Sequence, residues 1–311
     1  MKSLKRYAIG FLTALLVVGC ICGSVSAWSG SGTSSDPLIL TTNADLQQLG
    51  SQIASYASSY IELGADITCS GTQTPIGNSS NMFMGHFDGK NHTITGMTIS
   101  GGTSQYQGMF GYCTGGFSIK NLKLVNCSVT GGSNTGMLIG YVYGGNGASV
   151  SNVETDGCKV NSSSNYVGGI VGYGAYSSSG AVTYSDLYVH DGYVVASSYH
   201  VGGIVGLGAF SSSTVTYSGC GVYNTTVWTT YSSTSSGSVG GICGYVYSGC
   251  TVKINNCTVD KCTIYAPNCT YVGGIIGQPS GTVTIQYPTV TNSTIYGNST
   301  KGVGGMVGSS S

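Results

Sequence analysis

The chain has little charge and, beyond its first segment, no arginine. Only 6% of its 311 residues are Asp, Glu, Lys or Arg, against about 25% in ordinary globular proteins. From residue 28 onward it contains seven lysines and ten carboxylates, a formal net charge of −3. Because nucleic-acid and phosphate sites depend on guanidinium groups and basic patches, these absences argue against either kind of partner.

Long hydrophobic runs are also missing, with one exception near the start. An apolar run over residues 8–22 follows a basic start and precedes small residues ending at Ala27. This pattern predicts a signal peptide over 1–27, cleaved between Ala27 and Trp28. The residues that end at Cys20 also resemble a lipoprotein box, which would leave a lipid on Cys20 instead. Either interpretation predicts export to the cell envelope or beyond, with no membrane span in the mature chain.

Glycine is abundant, with 52 residues, and much of it lies in a six-residue motif that occurs seven times. Successive copies are 29 to 38 residues apart. A repeat of that period is typical of solenoids, in which each unit buries its apolar face against the next. The copies are YQGMFG (106–111), TGMLIG (135–140), VGGIVG (167–172), VGGIVG (201–206), VGGICG (239–244), VGGIIG (272–277) and VGGMVG (303–308).

A second segment of eleven residues aligns without gaps between the glycine motifs. Every copy ends in Val or Ile, and short β-branched runs separated by Asn, Asp and Gly predict brief strands with tight corners. We therefore expect an all-β parallel β-solenoid of seven to eight coils, about 33 residues each, over 61–311. The copies are IKNLKLVNCSV (119–129), VSNVETDGCKV (150–160), YSDLYVHDGYV (184–194), YSGCGVYNTTV (217–227), INNCTVDKCTI (254–264) and IQYPTVTNSTI (285–295).

The two ends of the repeat region differ. Residues 28–60 are predicted to form a capping segment with a short helix, in which Asn43 is a plausible N-cap. Leu46, Leu49 and Ile53 share one helical face and could cover the first coil. At the other end, the last glycine motif is followed by serines and no capping element. Exposed parallel strand edges are a template for pairing with another chain.

The third position of the eleven-residue segment predicts a corner. Asn, Asp and Gly tolerate left-handed backbone, and stacked amides can form a ladder along such a column. The competing interpretation is a glycan on Asn256, which lies in an Asn-Cys-Thr sequon. The column consists of Asn121, Asn152, Asp186, Gly219, Asn256 and Tyr287.

Alternation along the glycine motif predicts a strand with an aliphatic row on each face. One of these rows would need a cover, either loops of this chain or a neighbouring subunit. We take the row that needs a cover as a candidate assembly stripe, a surface that contacts another copy of the chain. It consists of Met109, Leu138, Ile170, Ile204, Ile242, Ile275 and Met306.

Ten cysteines remain after residue 27, and an even number in an exported chain favours disulfides over metal binding or catalysis. Cys127 and Cys158 share one alignment column in adjacent repeats, and so do Cys220 and Cys257. Stacked residues lie ~4.8 Å apart, within the Cα window of a disulfide. These four are candidates for two disulfides, or for stacked thiol pairs that remain reduced. The others are candidates for links between molecules: Cys69, Cys113, Cys243, Cys250, Cys262 and Cys269.

The glycine motif, the segment FDGKNHTITGMTI (87–99) and the entry sequence GSGTSSDPLILTTNADLQQLG (30–50) resemble GLUG-motif surface proteins. The resemblance covers nearly the whole mature chain and implies an adhesin-like β-helix. Within that family, a short, uncharged, cysteine-bearing chain made only of repeats looks most like the tubular sheath proteins of methanogenic archaea. That likeness implies a wall component that assembles with copies of itself.

The sequence offers little support for an enzyme. β-solenoid lyases and hydrolases need clustered carboxylates with a basic group, and the only tight groupings are Glu154 with Asp156 and His190 with Asp191. We expect no catalytic residues, no metal and no cofactor. A structural assembly protein is the first hypothesis, with other envelope proteins or glycans as further partners. The alternative is a cell-surface adhesin or carbohydrate-binding protein, whose sugars could stack on a tyrosine column: Tyr112, Tyr141, Tyr173 and Tyr245.

Overall fold

In the computed structural model, each repeat passes through four parallel sheets in turn. The structure describes residues 28–177, 180–231, 237–297 and 302–309. The predicted signal segment, including Cys20 and Ala27, lies outside these ranges. All strand pairs inside the sheets are parallel, so the predicted all-β parallel β-solenoid is confirmed.

Sheet 1 is the broadest face and carries the first part of the eleven-residue segment. Its strands are Leu38–Leu40, Tyr60–Leu63, Ile67–Thr68, His86–Thr95, Ser118–Val125, Ser149–Asp156, Ala181–His190, Thr214–Ser218, Gly221–Tyr223, Thr251–Asn255, Thr258–Asp260, Thr282–Gln286 and Thr289–Thr291. Sheet 2 carries the end of the same segment. Its strands are Thr98–Ser100, Ser128–Gly131, Lys159–Ser162, Tyr193–Ala196, Thr226–Thr229, Thr263–Ala266 and Thr294–Gly297.

Sheets 3 and 4 are built by the glycine motifs and the residues after them. The strands of sheet 3 are Thr135–Gly136, Val167–Gly168, Val201–Gly202, Ser238–Gly240, Tyr271–Gly273 and Gly302–Gly304. Those of sheet 4 are Phe110–Thr114, Ile139–Tyr143, Val171–Tyr176, Val205–Ala209, Cys243–Val246 and Ile276–Pro279.

The number of coils is smaller than predicted. The solenoid has about six coils of about 32 residues, because sheets 3 and 4 contain six strands each. Ahead of Phe110, the chain adds regular strands to sheets 1 and 2 only. The first repeat therefore starts the solenoid without completing a coil in all four sheets.

The strands pair in the register that the gapless alignment of the eleven-residue segments predicts. Ile119 pairs with Val150, and the same column continues through every later coil. The closing Val or Ile residues also pair in register, from Val129 to Ile295. These rows point inward and form one continuous apolar core along the solenoid. Parallel stacking of identical positions is thus what buries the repeat.

The predicted corner column is left-handed at every position, with φ between 50° and 64° from Asn121 to Tyr287. The amide ladder is present in part. Asn121 Nδ2 donates to Asp88 Oδ1 at 2.9 Å, and Asn152 Nδ2 donates to Asn121 Oδ1 at 3.0 Å. A second left-handed column lies five residues later, at a corner expected for Asp191 and Lys261, and it consists of Asn126, Gly157, Asp191, Asn224, Lys261 and Asn292.

Candidate functional site: the open last coil and the aromatic face

The glycine motif forms a corner rather than a single strand. In the copy at 201–206, Val201 and Gly202 form a short strand of sheet 3, and Val205 begins a strand of sheet 4. The N–H groups of Ile204 and Val205 both donate to the carbonyl of Ile242 in the next coil. Because the chain bends between them, Val201, Ile204 and Val205 are all fully buried. The predicted alternation of two faces is therefore wrong.

This bend changes the interpretation of the assembly stripe. Six of its residues are buried in the core of this chain: Met109, Leu138, Ile170, Ile204, Ile242 and Ile275. The expectation that the row forms an outward-facing contact for a neighbouring subunit is wrong for these six. Met306 alone is exposed, by 46%, because it lies in the last coil.

The corner also requires glycine for close stacking of coils. A Cβ on Gly202 would lie 2.0 Å from the carbonyl oxygen of Val205 within the same corner, and one on Gly203 would lie 2.1 Å from that of Gly241 in the next coil. Gly305 holds the position of Gly203 in the last copy, and no described atom lies within 4 Å of its added Cβ. Among the described residues, the corner at Gly305 is thus not packed against a further coil.

The last coil leaves part of the core uncovered. In the preceding coil, Val252, Ile254, Val259 and Ile264 are fully buried. Their partners in register, Val283, Ile285, Val290 and Ile295, are only partly buried. Among the described residues, the final strand of each sheet pairs on one side only. Within the described ranges, the last coil is therefore paired on one side only, and its apolar layer is partly exposed.

The opposite end is covered by a helical lid, as predicted. Helix α1 spans Asn43–Ser51 and α2 spans Ile53–Tyr56, and their apolar face is buried. The N-cap is Thr42 and not the predicted Asn43, because Thr42 Oγ1 accepts from the N–H of Asp45 and the Asp45 carboxylate accepts from the N–H of Thr42. Burial alone would raise the pKa of the Asp45 carboxyl, but its hydrogen bonds outweigh this effect and lower that pKa.

The predicted tyrosine column lies on sheet 4. Tyr112, Tyr141 and Tyr173 are in register, with ring centroids 4.9 and 4.7 Å apart. Tyr245 belongs to the same column, but Leu207 separates it from Tyr173. Tyr112 and Tyr173 are less than 10% exposed, so these rings are packed on each other rather than open to a sugar. Burial raises the pKa of Tyr112 to about 12.

A second aromatic row on sheet 2 was missed by the sequence analysis. Trp228, Tyr265 and Tyr296 are in register, and the rings of Tyr265 and Tyr296 stack at 4.8 Å. Each follows directly the Val or Ile that closes the eleven-residue segment. Extending the alignment by one residue would have found it.

Ten cysteines lie in the described ranges, and the two predicted pairs among them are stacked in adjacent coils. The backbone N–H of Cys127 donates to Cys158 Sγ at 3.3 Å. Hydrogen bonding between the side chains and burial raise the pKa of Cys127 well above its usual range, and the same bond lowers that of Cys158. Cys220 and Cys257 form an equivalent pair. The structure thus brings together the members of each predicted disulfide.

The expectation that six further cysteines link separate molecules is mostly wrong. Five of them are buried inside the coils and cannot reach another molecule in this fold: Cys113, Cys243, Cys250, Cys262 and Cys269. Cys69 is only partly buried, and burial raises the pKa of its thiol to about 11.

The two carboxylate groupings considered for catalysis have structural partners. Lys123 Nζ lies 2.8 Å from Glu154 Oε1 and 3.3 Å from Asp156 Oδ2. His190 stacks on Tyr223 at 4.9 Å, and Asn224 Nδ2 donates to Asp191. Within the described ranges, no group of three His, Cys, Asp or Glu side chains could hold a metal ion. The expectation that the chain is not an enzyme stays a prediction.

No family model matches the chain, but part of its sequence is similar to segments of two curated proteins. Halomucin of Haloquadratum walsbyi is 31% identical over 160 residues, which is 47% of this chain and 2% of Halomucin. A provisionally named Gly-rich membrane protein of Evansella cellulosilytica is 27% identical over 169 residues, 50% of this chain and 19% of that protein. The chain thus spans a small fraction of the length of both relatives.

One solved structure has the same architecture. A Bacteroides ovatus protein with a provisional assignment as an immunoglobulin A1 protease superposes with a TM-score of 0.63 at 22% identity, over 85% of this chain and 79% of that one. At this identity, the likeness shows the fold alone. None of the helices in the described ranges has the length and apolar character needed to cross a membrane.

Proposed function

We propose that this chain is a structural constituent of an extracellular sheath or cell-wall layer, which assembles with copies of itself through its sheet edges. The observation that carries the proposal is the open last coil. Its strands pair on one side only among the described residues, and its apolar layer is partly exposed. A second molecule stacked there would continue the parallel sheets, as strands do in cross-β assemblies.

The surface supports association. With only 6% charged residues, the protein has little electrostatic repulsion to keep molecules apart. The predicted signal peptide and a relative named as a membrane protein agree with a place in the cell envelope. The resemblance to GLUG-motif proteins and to methanogen sheath proteins suggests the same role.

Helix α1 restricts the geometry of assembly. Because Leu46 and Leu49 of α1 and Ile53 of α2 are buried in the core at this end, an incoming last coil cannot pair with the first coil while the helices are in place. Head-to-tail stacking therefore requires α1 to be displaced or to pack laterally. Cys69, as the partly buried cysteine, is the residue available for a covalent link between molecules.

Fractionation of the cell envelope tests the proposal. A sheath constituent should be recovered as insoluble polymer, and a charged helical cap added after Ser311 should prevent polymer growth. Polymers of normal length formed by the capped variant would contradict assembly through this edge. Recovery of the natural protein as a monomer with affinity for cell-surface glycans would support the adhesin hypothesis instead.

A further inference from the structure

A cavity of about 240 Å³ lies on the outer face of sheet 1, beside the first coils. Residues 34–37 of the capping segment form one wall, and three neighbouring strands of sheet 1 form the floor. The cavity is smaller than the ~300–1,000 Å³ that drug-sized ligands occupy. It therefore suits a ligand of about one ring.

One row of the floor carries two aromatic rings and a hydroxyl group. Tyr60, His86 and Ser118 occupy one register column in adjacent strands. The rings of Tyr60 and His86 pack at 4.3 Å, and Nδ1 of His86 is 2.8 Å from Ser118 Oγ. Tyr60 is nevertheless 37% exposed and lines the cavity, so part of this residue is available to a ligand.

The adjacent row is charged, and its charges are balanced. Glu62, Asp88 and Lys120 share the next outward-facing column. Lys120 Nζ is 3.4 Å from Asp88 Oδ2, and Lys90 Nζ is 3.6 Å from Glu62 Oε2. Both carboxylates that line the cavity are thus paired with an ammonium group, Asp88 with Lys120 inside the lining and Glu62 with Lys90 beside it.

These contacts show which side chains of the floor are available to a ligand and which hold a neighbouring side chain in position. Asp88 Oδ1 accepts from Asn121 Nδ2 and from the N–H of Lys90, so both oxygens of Asp88 are engaged. Although burial opposes the shift, these bonds lower the pKa of Asp88. Asp88 thereby fixes Lys120, whose ammonium group has three N–H donors and spends one on this pair.

We propose that this cavity binds one ring of an uncharged sugar. An exposed aromatic face beside a fixed set of donors and acceptors matches the apolar face and the hydroxyl groups of a sugar ring. Each carboxylate of the floor already faces an ammonium group, so the cavity offers no unpaired charge to an ionic ligand and favours an uncharged one. This inference does not depend on assembly, because the cavity lies far in sequence from the last coil.

The test uses the full mature chain and four probes, the methyl glycosides of glucose, galactose, mannose and N-acetylglucosamine. We expect saturation-transfer NMR to show contact with at least one of them. Tyr60→Ala should weaken binding of that glycoside about tenfold, the loss of roughly one aromatic contact. The matched control is Tyr287→Ala, because Tyr287 lies at the corner between two strands of sheet 1, is 79% exposed and is not part of the cavity lining. It should change affinity less than twofold.

A second variant keeps the proposal testable if Tyr60→Ala fails to fold. Glu62→Gln keeps the shape of the side chain but removes its charge, so it should lower affinity while leaving the thermal midpoint close to that of the parent. Absence of binding to all four glycosides would overturn the proposal. So would undiminished binding by a folded Tyr60→Ala variant.

Discussion

The backbone N–H of Cys127 donates a hydrogen bond to the Sγ atom of Cys158 in the next coil, 3.3 Å away. The same contact recurs along this column. Gly192 N–H donates to Thr225 Oγ1 and Cys262 N–H to Ser293 Oγ, both at 3.0 Å. A small side chain with an acceptor atom thus satisfies a corner N–H of the preceding coil. Cysteine serves this purpose and also places two sulfur atoms side by side.

We predict that the exported protein contains the Cys127–Cys158 and Cys220–Cys257 disulfides. Each closes a loop of more than thirty residues, so reduction should lower the free energy of unfolding by about 3–4 kcal/mol per bridge. Peptide mapping without reductant, combined with unfolding curves in its presence and absence, measures both effects. Recovery of these four residues as free thiols, or bridged to other cysteines, would refute the pairing.

Cys69 should be the residue that reacts when the folded protein is alkylated. Since burial raises the pKa of its thiol to about 11, the reactive thiolate is scarce at neutral pH. The labelling rate should therefore rise about tenfold per pH unit between pH 7 and 10. Mass spectrometry after iodoacetamide treatment locates the label. Rapid modification of the buried Cys243 or Cys262 in folded protein would show that the coils open more readily than the packing indicates.

Alkaline pH should destabilise the protein through its packed tyrosines. Burial raises the pKa of Tyr112 to about 12 and that of Tyr173 in the same direction, whereas an unfolded tyrosine titrates near 10. Above pH 10 the unfolded chain releases protons that the folded chain retains, so stability falls as pH rises. The slope is up to about 1.4 kcal/mol per pH unit for each such group.

Denaturant unfolding at pH 8 to 11.5 measures this dependence. Tyr112→Phe retains the ring but removes the titrating group, and it should make the decline shallower. A midpoint that stays constant up to pH 11.5 would contradict the buried aromatic column.

Gly203→Ala should strongly destabilise the solenoid. The new Cβ would lie 2.1 Å from the carbonyl oxygen of Gly241, so two coils must separate at a corner that stacks along the whole rod. Overpacking of this kind costs about 3 kcal/mol, and thermal unfolding measures the loss. A variant with the parental midpoint would show that the corner is not packed as closely as described.

Strand register and corners could be predicted from the sequence wherever the repeat itself determines structure. Ile119 and Val150 were paired by alignment alone, because parallel stacking places identical repeat positions in adjacent strands. Asn121 and Asn152 were placed at a corner because their residue type tolerates the left-handed backbone found there.

The path of the chain could not be predicted where one residue pattern is compatible with two geometries. The order Val201, Gly202, Gly203, Ile204, Val205 alternates as a strand does, and it also fits a corner with an inward residue on each side. Only the three-dimensional path of the chain separates these cases. The cavity at Tyr60 and His86 was missed because the capping segment that walls it carries no repeat signal.

The most direct test of assembly through the last coil is Gly305→Ala. Gly305 occupies the position of Gly203, but no described atom lies within 4 Å of its added Cβ, so the variant should fold with a thermal midpoint close to the parent. A second molecule stacked on this corner would bring a backbone carbonyl against the new methyl group. We predict that sedimentation and electron microscopy will find folded Gly305→Ala protein that does not polymerise under conditions in which the parent does. Polymers of normal length formed by this variant would contradict assembly through the last coil.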